Sequence, residues 1–186
     1  SYSGRKLQFF PPDPFKEFKI ASQIGYDFIE LFGERKINKK NPIWSNSGIT
    51  KYISVAKKNN VKIISFCDDY IISHSLSSKK TLKFILNTIK RLRKLNIRKY
   101  ILPLYGSSKL KLDNRNQIYK NLSIIFKECK KNNLNLLIES NMDPNKFKSL
   151  KKKINSKNCY FLFDTGNRIL LKNDPVRDII KFSNDN

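Results

Sequence analysis

The sequence predicts a parallel α/β fold, and three observations carry that prediction. Five short runs rich in β-branched and aromatic residues recur along the 186 residues. They lie about 25 to 40 residues apart, the length of a strand plus a crossover helix. Helix-period segments fill the gaps, and the runs are apolar on both faces, as strands buried between two layers must be. The runs are "YDFIELF" (26–32), "VKIISFC" (61–67), "KYILPLY" (99–105), "LNLLIES" (134–140) and "YFLFD" (160–164). Two architectures fit, an open doubly wound sheet or part of an eight-stranded α/β barrel. A complete barrel needs about 250 residues, so five strands make an incomplete one.

The helical segments follow in order. "PFKEFKIASQIG" places Phe15, Phe18 and Ile20 or Ala21 near one face, with Gly25 as its stop. "SGITKYISVAKKNN" offers Ser47 as N-cap and Ile49, Ile53 and Ala56 as a stripe. Steps of three and four link Leu82, Ile85, Ile89 and Leu92, then Ile118, Leu122, Ile125 and Cys129. "DPNKFKSLKKKI" and "DPVRDIIKF" each open with an Asp that can cap and a Pro suited to the first helical position. No linker or change of composition divides the chain, so residues 1–186 are expected to form a single domain.

With 39% hydrophobic residues the chain can bury a core, and no apolar stretch approaches the ~20 residues that cross a bilayer. The start lacks the basic-then-apolar order of a signal peptide. Cys67, Cys129 and Cys159 are odd in number and widely spaced, which suits incidental thiols in a reduced, cytoplasmic protein. The charge of +23 raises a nucleic-acid partner. The excess is mostly lysine scattered among Asn and Ile, the pattern of solvated helix faces in an AT-rich coding sequence. Aromatic residues do not interleave with it on one face, so a nucleic-acid partner is not expected.

Only 15 residues are acidic, which makes their placement informative. Glu30 is expected at the end of the first run, Asp68 and Asp69 after the second, Glu139 at the end of the fourth and Asp164 at the end of the fifth. In a parallel α/β fold those ends share one rim, where the following loops build active sites. A ring of carboxylates there is costly unless a cation sits among them, and a divalent ion held by oxygen is the ordinary remedy. Each acid also has a plainer use. Asp164 in "DTGN" can cap a turn in which Gly166 supplies a positive φ. Glu139, directly after "LNLLI", is poorly suited to capping and costly if buried alone.

"GYDFIELF", "NPIWSNSG", "VKIISFCDDY", "LLIES" and "FDTGN" with "DPVRDI" behind it fall in the order seen in the sugar phosphate isomerase/epimerase family. Nearly the whole chain resembles that family, whose members are similar to xylose isomerase and adopt a TIM barrel. "SGRKLQFF" resembles the stretch after its first strand, so the five runs correspond to strands two to six. The resemblance implies one divalent ion (Mn, Mg, Co or Zn) held by the Glu ending strand five and the Asp ending strand six, here Glu139 and Asp164. It also implies that Glu139 is a catalytic base, moving a proton next to a sugar carbonyl through an enediolate. A histidine after strand seven and a glutamate after strand eight complete the family's site. His74, the only histidine, falls after strand three, so the chain is expected to be a fragment that is inactive alone.

Four further positions are substrate-binding candidates. Glu30 lies at the rim, and Asn167 stands where some epimerases place a histidine against the sugar. Trp44 either walls a sugar pocket or anchors the following helix. His74 overhangs the rim or is a plain surface histidine. Arg5 and Lys109 could meet a phosphate but do not stand out among so many cations. The expected partner is a small sugar or sugar phosphate, with homo-oligomerisation left open. Two rivals are an apurinic-site DNA-repair endonuclease on the same barrel and a non-catalytic degenerate barrel. The former gathers several zinc ions with many histidines, which one histidine does not favour.

Overall fold

The computed structural model describes residues 10–154, 159–170 and 174–183. Five parallel strands, β1 (Phe28–Gly33), β2 (Lys62–Asp68), β3 (Lys99–Pro103), β4 (Asn135–Glu139) and β5 (Cys159–Leu162), pair in the order of the chain. Every run read as a strand is one. Between them stand α1 (Lys16–Gln23), α2 (Asn46–Lys58), α3 (Tyr70–Ser73), α4 (Lys79–Lys94), α5 (Arg115–Lys131), α6 (Pro144–Ile154), α7 (Thr165–Leu170) and α8 (Pro175–Ser183). Consecutive strand order with helices between strands is the winding of a (β/α)8 barrel, of which this is a five-stranded part. The doubly wound alternative, in which strand order reverses at a switch point, is excluded.

One device repeats at the bottom of the sheet. Gly25 (φ 87°), Asn60 (52°), Asn96 (54°) and Asn133 (56°) take left-handed backbone just after α1, α2, α4 and α5. In each case the next amide reaches back over the turn: Tyr26 N to Ala21 O (2.8 Å), Val61 N to Ala56 O (3.0 Å), Ile97 N to Leu92 O (3.4 Å) and Leu134 N to Cys129 O (2.9 Å). These are Schellman closures, and Asn is the side-chain-bearing residue that best tolerates them. The same stop four times launches four strands in the same direction.

The helix starts agree with the sequence in two places and depart in one. Asp143 Oδ1 accepts from Asn145 N (2.9 Å), and Asp174 Oδ1 from Val176 N (2.9 Å) and Arg177 N (3.1 Å), so both Asp-Pro pairs open helices as expected. Ser47 does not cap α2. Ser45 does, accepting from Gly48 N at 3.0 Å, because the turn Pro42–Trp44 delivers the chain two residues earlier. The buried stripe shifts with it. Ile49 and Tyr52 are buried, whereas Ile53 is exposed. On α1 the buried choice is Ala21 and not Ile20.

Strand parity separates two faces. Leu31, Phe66, Tyr100, Leu102, Leu136 and Ile138 pack outward into the helix layer, joined by Phe18, Tyr52, Ile85, Ile89, Leu122 and Ile125. The intervening residues face the concave inner side. The register of β1 on β2 slips between Ile29, opposite Ile63, and Glu30, opposite Ser65. Such a bulge re-aims side chains near the rim of a barrel. Among the described residues no helix is long and apolar enough to cross a membrane. All three cysteines are free and buried.

Candidate active site

At the C-terminal ends of the strands the inner face closes around a cavity of about 500 Å³. Its charged and polar walls are Glu30 from β1, Arg35 from the loop after it, Cys67 from β2 and Asp69 just after it, Tyr105 after β3, Glu139 ending β4, and Asp164 and Asn167 after β5. Ile101, Pro103 and Leu162 supply the apolar floor. Of the residues proposed from sequence, this cavity gathers Glu30, Glu139, Asp164 and Asn167.

Asn167 organises the β4–β5 side. Its Nδ2 donates to Glu139 Oε1 (2.9 Å) and to Asp164 Oδ2 (2.9 Å), with Tyr105 Oη at 3.5 Å. Two carboxylates from adjacent strands are therefore aimed at one point. Asp164 also performs the plainer task, its Oδ1 accepting from Asn167 N at 3.1 Å to start α7. Gly166 does not take the positive φ expected of it. It lies in α7, and a Cβ there would stand 3.2 Å from Asp164 Oδ1, so the glycine leaves room for the carboxylate. Arg168, buried, pairs with Asp178 through Nε (2.8 Å) and Nη2 (2.6 Å), which anchors α7 to α8 and so fixes Asn167.

The electrostatics follow from crowding acids where water is scarce. Glu139 is pushed up to about 7, first by burial, then by the charge of Asp164 and more weakly by Asp69 and Glu30, while the Asn167 bond pulls it down. Glu30 is raised by burial against a lowering bond from the Ser65 hydroxyl. Asp69 is raised by burial and pulled back by Arg35, whose Nε lies 3.7 Å from Asp69 Oδ2. Tyr105 is pushed up to about 12, by burial and then by Glu139, and keeps its proton. Cys67 is raised by burial and by the surrounding carboxylates. It is a neutral thiol, which suits neither nucleophile nor thiolate ligand.

The remaining candidates stand outside this cavity or reach it from other positions than expected. Glu30 is the third residue of β1 and not its last, and lines the cavity opposite Ser65, the register having slipped just before it. Asp68 faces the helix layer, buried, taking a bond from Tyr100 Oη (2.7 Å) and one from Tyr70 N (3.3 Å). Trp44 does not line the cavity but packs on Phe84 with ring centroids 5.3 Å apart. His74 stacks on Tyr70 at 3.9 Å and its Nδ1 bonds Tyr70 O (3.1 Å), also outside the cavity. Lys109 lies in a different groove. Arg5 and most of "SGRKLQFF" fall outside the described residues. Arg35, Tyr105 and the inward aim of Cys67 were missed. Their only sequence signal is position, within a few residues of a strand end.

Residues 18–184 match the sequence model of the family described as xylose isomerase-like TIM barrel. No curated protein matches the sequence. Among solved structures, a xylose isomerase domain protein from Planctomyces limnophilus superposes with a TM-score of 0.73 at 7% identity, over 90% of this chain and 65% of that one. A probable 3-DHS dehydratase from Bacillus anthracis gives 0.70 at 16% identity, over 95% and 66%. A D-psicose 3-epimerase structure, determined in the presence of D-fructose, gives 0.72 at 16% identity, over 89% and 62%. The chain thus spans just under two thirds of the length of each. Identities this low establish the fold alone, and the three names cover more than one reaction. The matched sequence model, the five consecutive parallel strands and the acid-lined C-terminal rim agree: the chain belongs to the xylose isomerase-like TIM barrel family.

Proposed function

We propose that the cavity is the metal-holding and proton-transferring part of a site that isomerises or epimerises a sugar or sugar phosphate. The observation that carries this reading is the convergence of Glu139 and Asp164 on the single amide nitrogen of Asn167, at 2.9 Å each. Two hard oxygen donors aimed at one point suit a divalent ion such as Mn, Mg, Co or Zn. Among the described residues no third His, Cys, Asp or Glu joins them, so they are part of a coordination sphere and not the whole of one. When bound, such an ion supplies charge stabilisation to an oxygen that becomes anionic during proton transfer.

The remaining roles belong to the chain's own side chains. Glu139 takes the proton from the carbon beside the carbonyl, a transfer a positioned carboxylate performs once the conjugate oxyanion is stabilised. Asp164 holds its place through the α7 cap, and Asn167 aligns both carboxylates with its Nδ2 and offers its Oδ1 as an acceptor to a sugar hydroxyl. Glu30, across the cavity, is a second hydroxyl partner. Ile101, Pro103 and Leu162 keep water from the floor. Trp44 and His74, packed outside, are given no part.

The test is solvent exchange. The protein carrying the remaining barrel strands, supplied with Mn or Mg, is incubated in heavy water with ketoses and ketose phosphates, and proton NMR follows the C–H beside the carbonyl. Deuterium entering that position with the native chain, but not with Glu139→Gln, supports the reading. Metal bound in stoichiometric amount with no exchange in any sugar overturns it, and cleavage of abasic DNA would put the endonuclease in its place.

A further inference from the structure

We infer that a second cavity, on the outer flank of β3 and β4, binds a compact small molecule carrying two or more phosphates. This site is separate from the Glu139 cavity and its fate leaves the reading above untouched. Its volume is about 700 Å³, within the range of small-molecule sites. The loop after β3, the start of α5, the segment after β4 and α6 form its walls. Five exposed cations line it, Lys109, Lys111, Arg115, Lys146 and Lys153, against one acid, Asp143. One oxygen of Asp143 is already spent capping α6.

In a chain of charge +23 a basic groove can arise without purpose, so the position of the cations is what matters. The opposite end of the sheet provides an internal control. A groove of about 660 Å³ there holds Lys57, Lys62, Arg98 and Lys99. It lies beside the C-termini of α2 and α4, whose last turns carry Lys57 and Lys58, and Arg91, Arg93 and Lys94. Cations at helix C-termini complement the negative end of the dipole and need no ligand.

The β3–β4 groove reverses that arrangement. Arg115 and Lys146 stand in the first turns of α5 and α6, where the dipole is already positive and neither first turn holds an acid. Asn114 does not cap α5. It accepts from Lys111 N (2.9 Å) and donates to Lys109 O (3.1 Å), which folds the loop so that both lysines flank the groove. None of the five cations forms an ion pair among the described residues, and Lys153 rests only over the Tyr119 ring at 5.1 Å.

Ser140, buried, lines the same cavity. Its oxygen accepts from Met142 N (3.2 Å), and among the described residues its proton has no acceptor. Cations without counter-charges, gathered against helix ends of the same sign, suit an anion of matching charge. A diphosphate group supplies it. Leu110, Leu112 and Met142 give an apolar wall for the body of such a molecule. The groove is concave and short, and its one aromatic ring is covered by Lys153, which does not suit a stacked nucleic-acid strand.

The experiment titrates the protein with inorganic pyrophosphate at physiological salt, by calorimetry and amide NMR. Inorganic phosphate and a single-stranded RNA oligonucleotide serve as comparators. Saturable binding at one site is expected, tighter for pyrophosphate than for phosphate, with amide shifts confined to residues 109–115 and 140–146. The triple variant Lys109→Gln, Arg115→Gln, Lys146→Gln should weaken it at least about tenfold. The matched variant Lys57→Gln, Lys62→Gln, Arg98→Gln loses the same charge and should stay within about twofold. Equal weakening by both variants, dispersed amide shifts or failure to saturate would each overturn the assignment. RNA bound more tightly than pyrophosphate would overturn it in favour of a nucleic-acid face. The native-chain shift map decides the matter even if a triple variant folds poorly.

Discussion

The ends of β2 and β4 present the same problem with opposite solutions. Each apolar strand ends in a carboxylate that burial forces upward, Asp68 to about 6 and Glu139 to about 7. Asp68 points outward into the helix layer, where Tyr100 Oη and Tyr70 N satisfy it. Glu139 points inward, where its neighbours are another carboxylate and a shared amide. Strand parity decides which acid is a structural bond and which faces the cavity proposed as the active site. An outward acid should govern stability and leave turnover alone, and an inward one should do the reverse.

Glu139→Gln tests this most severely. In a chain that completes the barrel, loss of a positioned general base should lower turnover by about 10²- to 10⁴-fold. Stability should hold or rise, because Gln keeps an acceptor for Asn167 and removes a charge from beside Asp164. Steady-state rates and a urea melt on the same preparation separate the two. A variant that retains activity, or that unfolds, breaks the contrast.

The next largest effect belongs to Asp68 and to pH. Its folded value of about 6 lies above its ordinary 3.8, so the fold prefers the neutral acid. Stability from this group is fully present below the unfolded value and is lost as pH rises through the folded one. Two units correspond to about 3 kcal/mol, spread over about pH 4 to 6.5. Asp68→Asn should flatten that stretch relative to the native chain, and melts at stepped pH would show it. A native curve parallel to that of Asp68→Asn would mean the carboxyl is not held as described.

Tyr100→Phe is milder. It removes the donor to Asp68 Oδ2 and leaves a buried carboxylate oxygen unmatched, at about 2 kcal/mol near pH 8. Activity should be unchanged, since Tyr100 packs among the helices. A fall in turnover with no fall in stability would contradict the division between faces.

What could be read from the sequence was what the backbone decides locally. The five strand runs fall within one or two residues of their observed bounds, because β-branched runs between helix periods are a local signal. Asp143 and Asp174 were legible as caps for the same reason. Glu139 was legible as a rim acid because a Glu directly after an apolar run is poorly suited to capping, whereas Asp164 also serves as the cap that "DTGN" offered. The rest depended on tertiary arrangement. Nothing in "NPIWSNSG" says that Trp44 turns back onto Phe84, or that Ser45 rather than Ser47 reaches Gly48 N. Arg35 and Tyr105 sit on loops, where direction is set by what lies opposite.

Glu30 falls between the two cases, and Ser65→Ala shows which it resembles. Glu30 alternates with outward-packed Leu31 and so faces inward like Glu139. The β1–β2 register slip sets it opposite Ser65, whose hydroxyl donates to it much as Tyr100 does to Asp68. Unlike either, Glu30 is exposed as a residue along the open inner face although its carboxyl tip is partly desolvated by the cavity, so water can replace part of a lost donor. Removing the hydroxyl should therefore cost less than about 1 kcal/mol, against about 2 for Tyr100→Phe. It should also raise the Glu30 value further, since that bond is what lowers it. Carboxyl NMR through a pH titration reads the shift directly. A cost equal to that of Tyr100→Phe would mean that Glu30 is sealed from solvent. Parity would then be the wrong guide, and closeness of packing at each strand end would sort these acids instead.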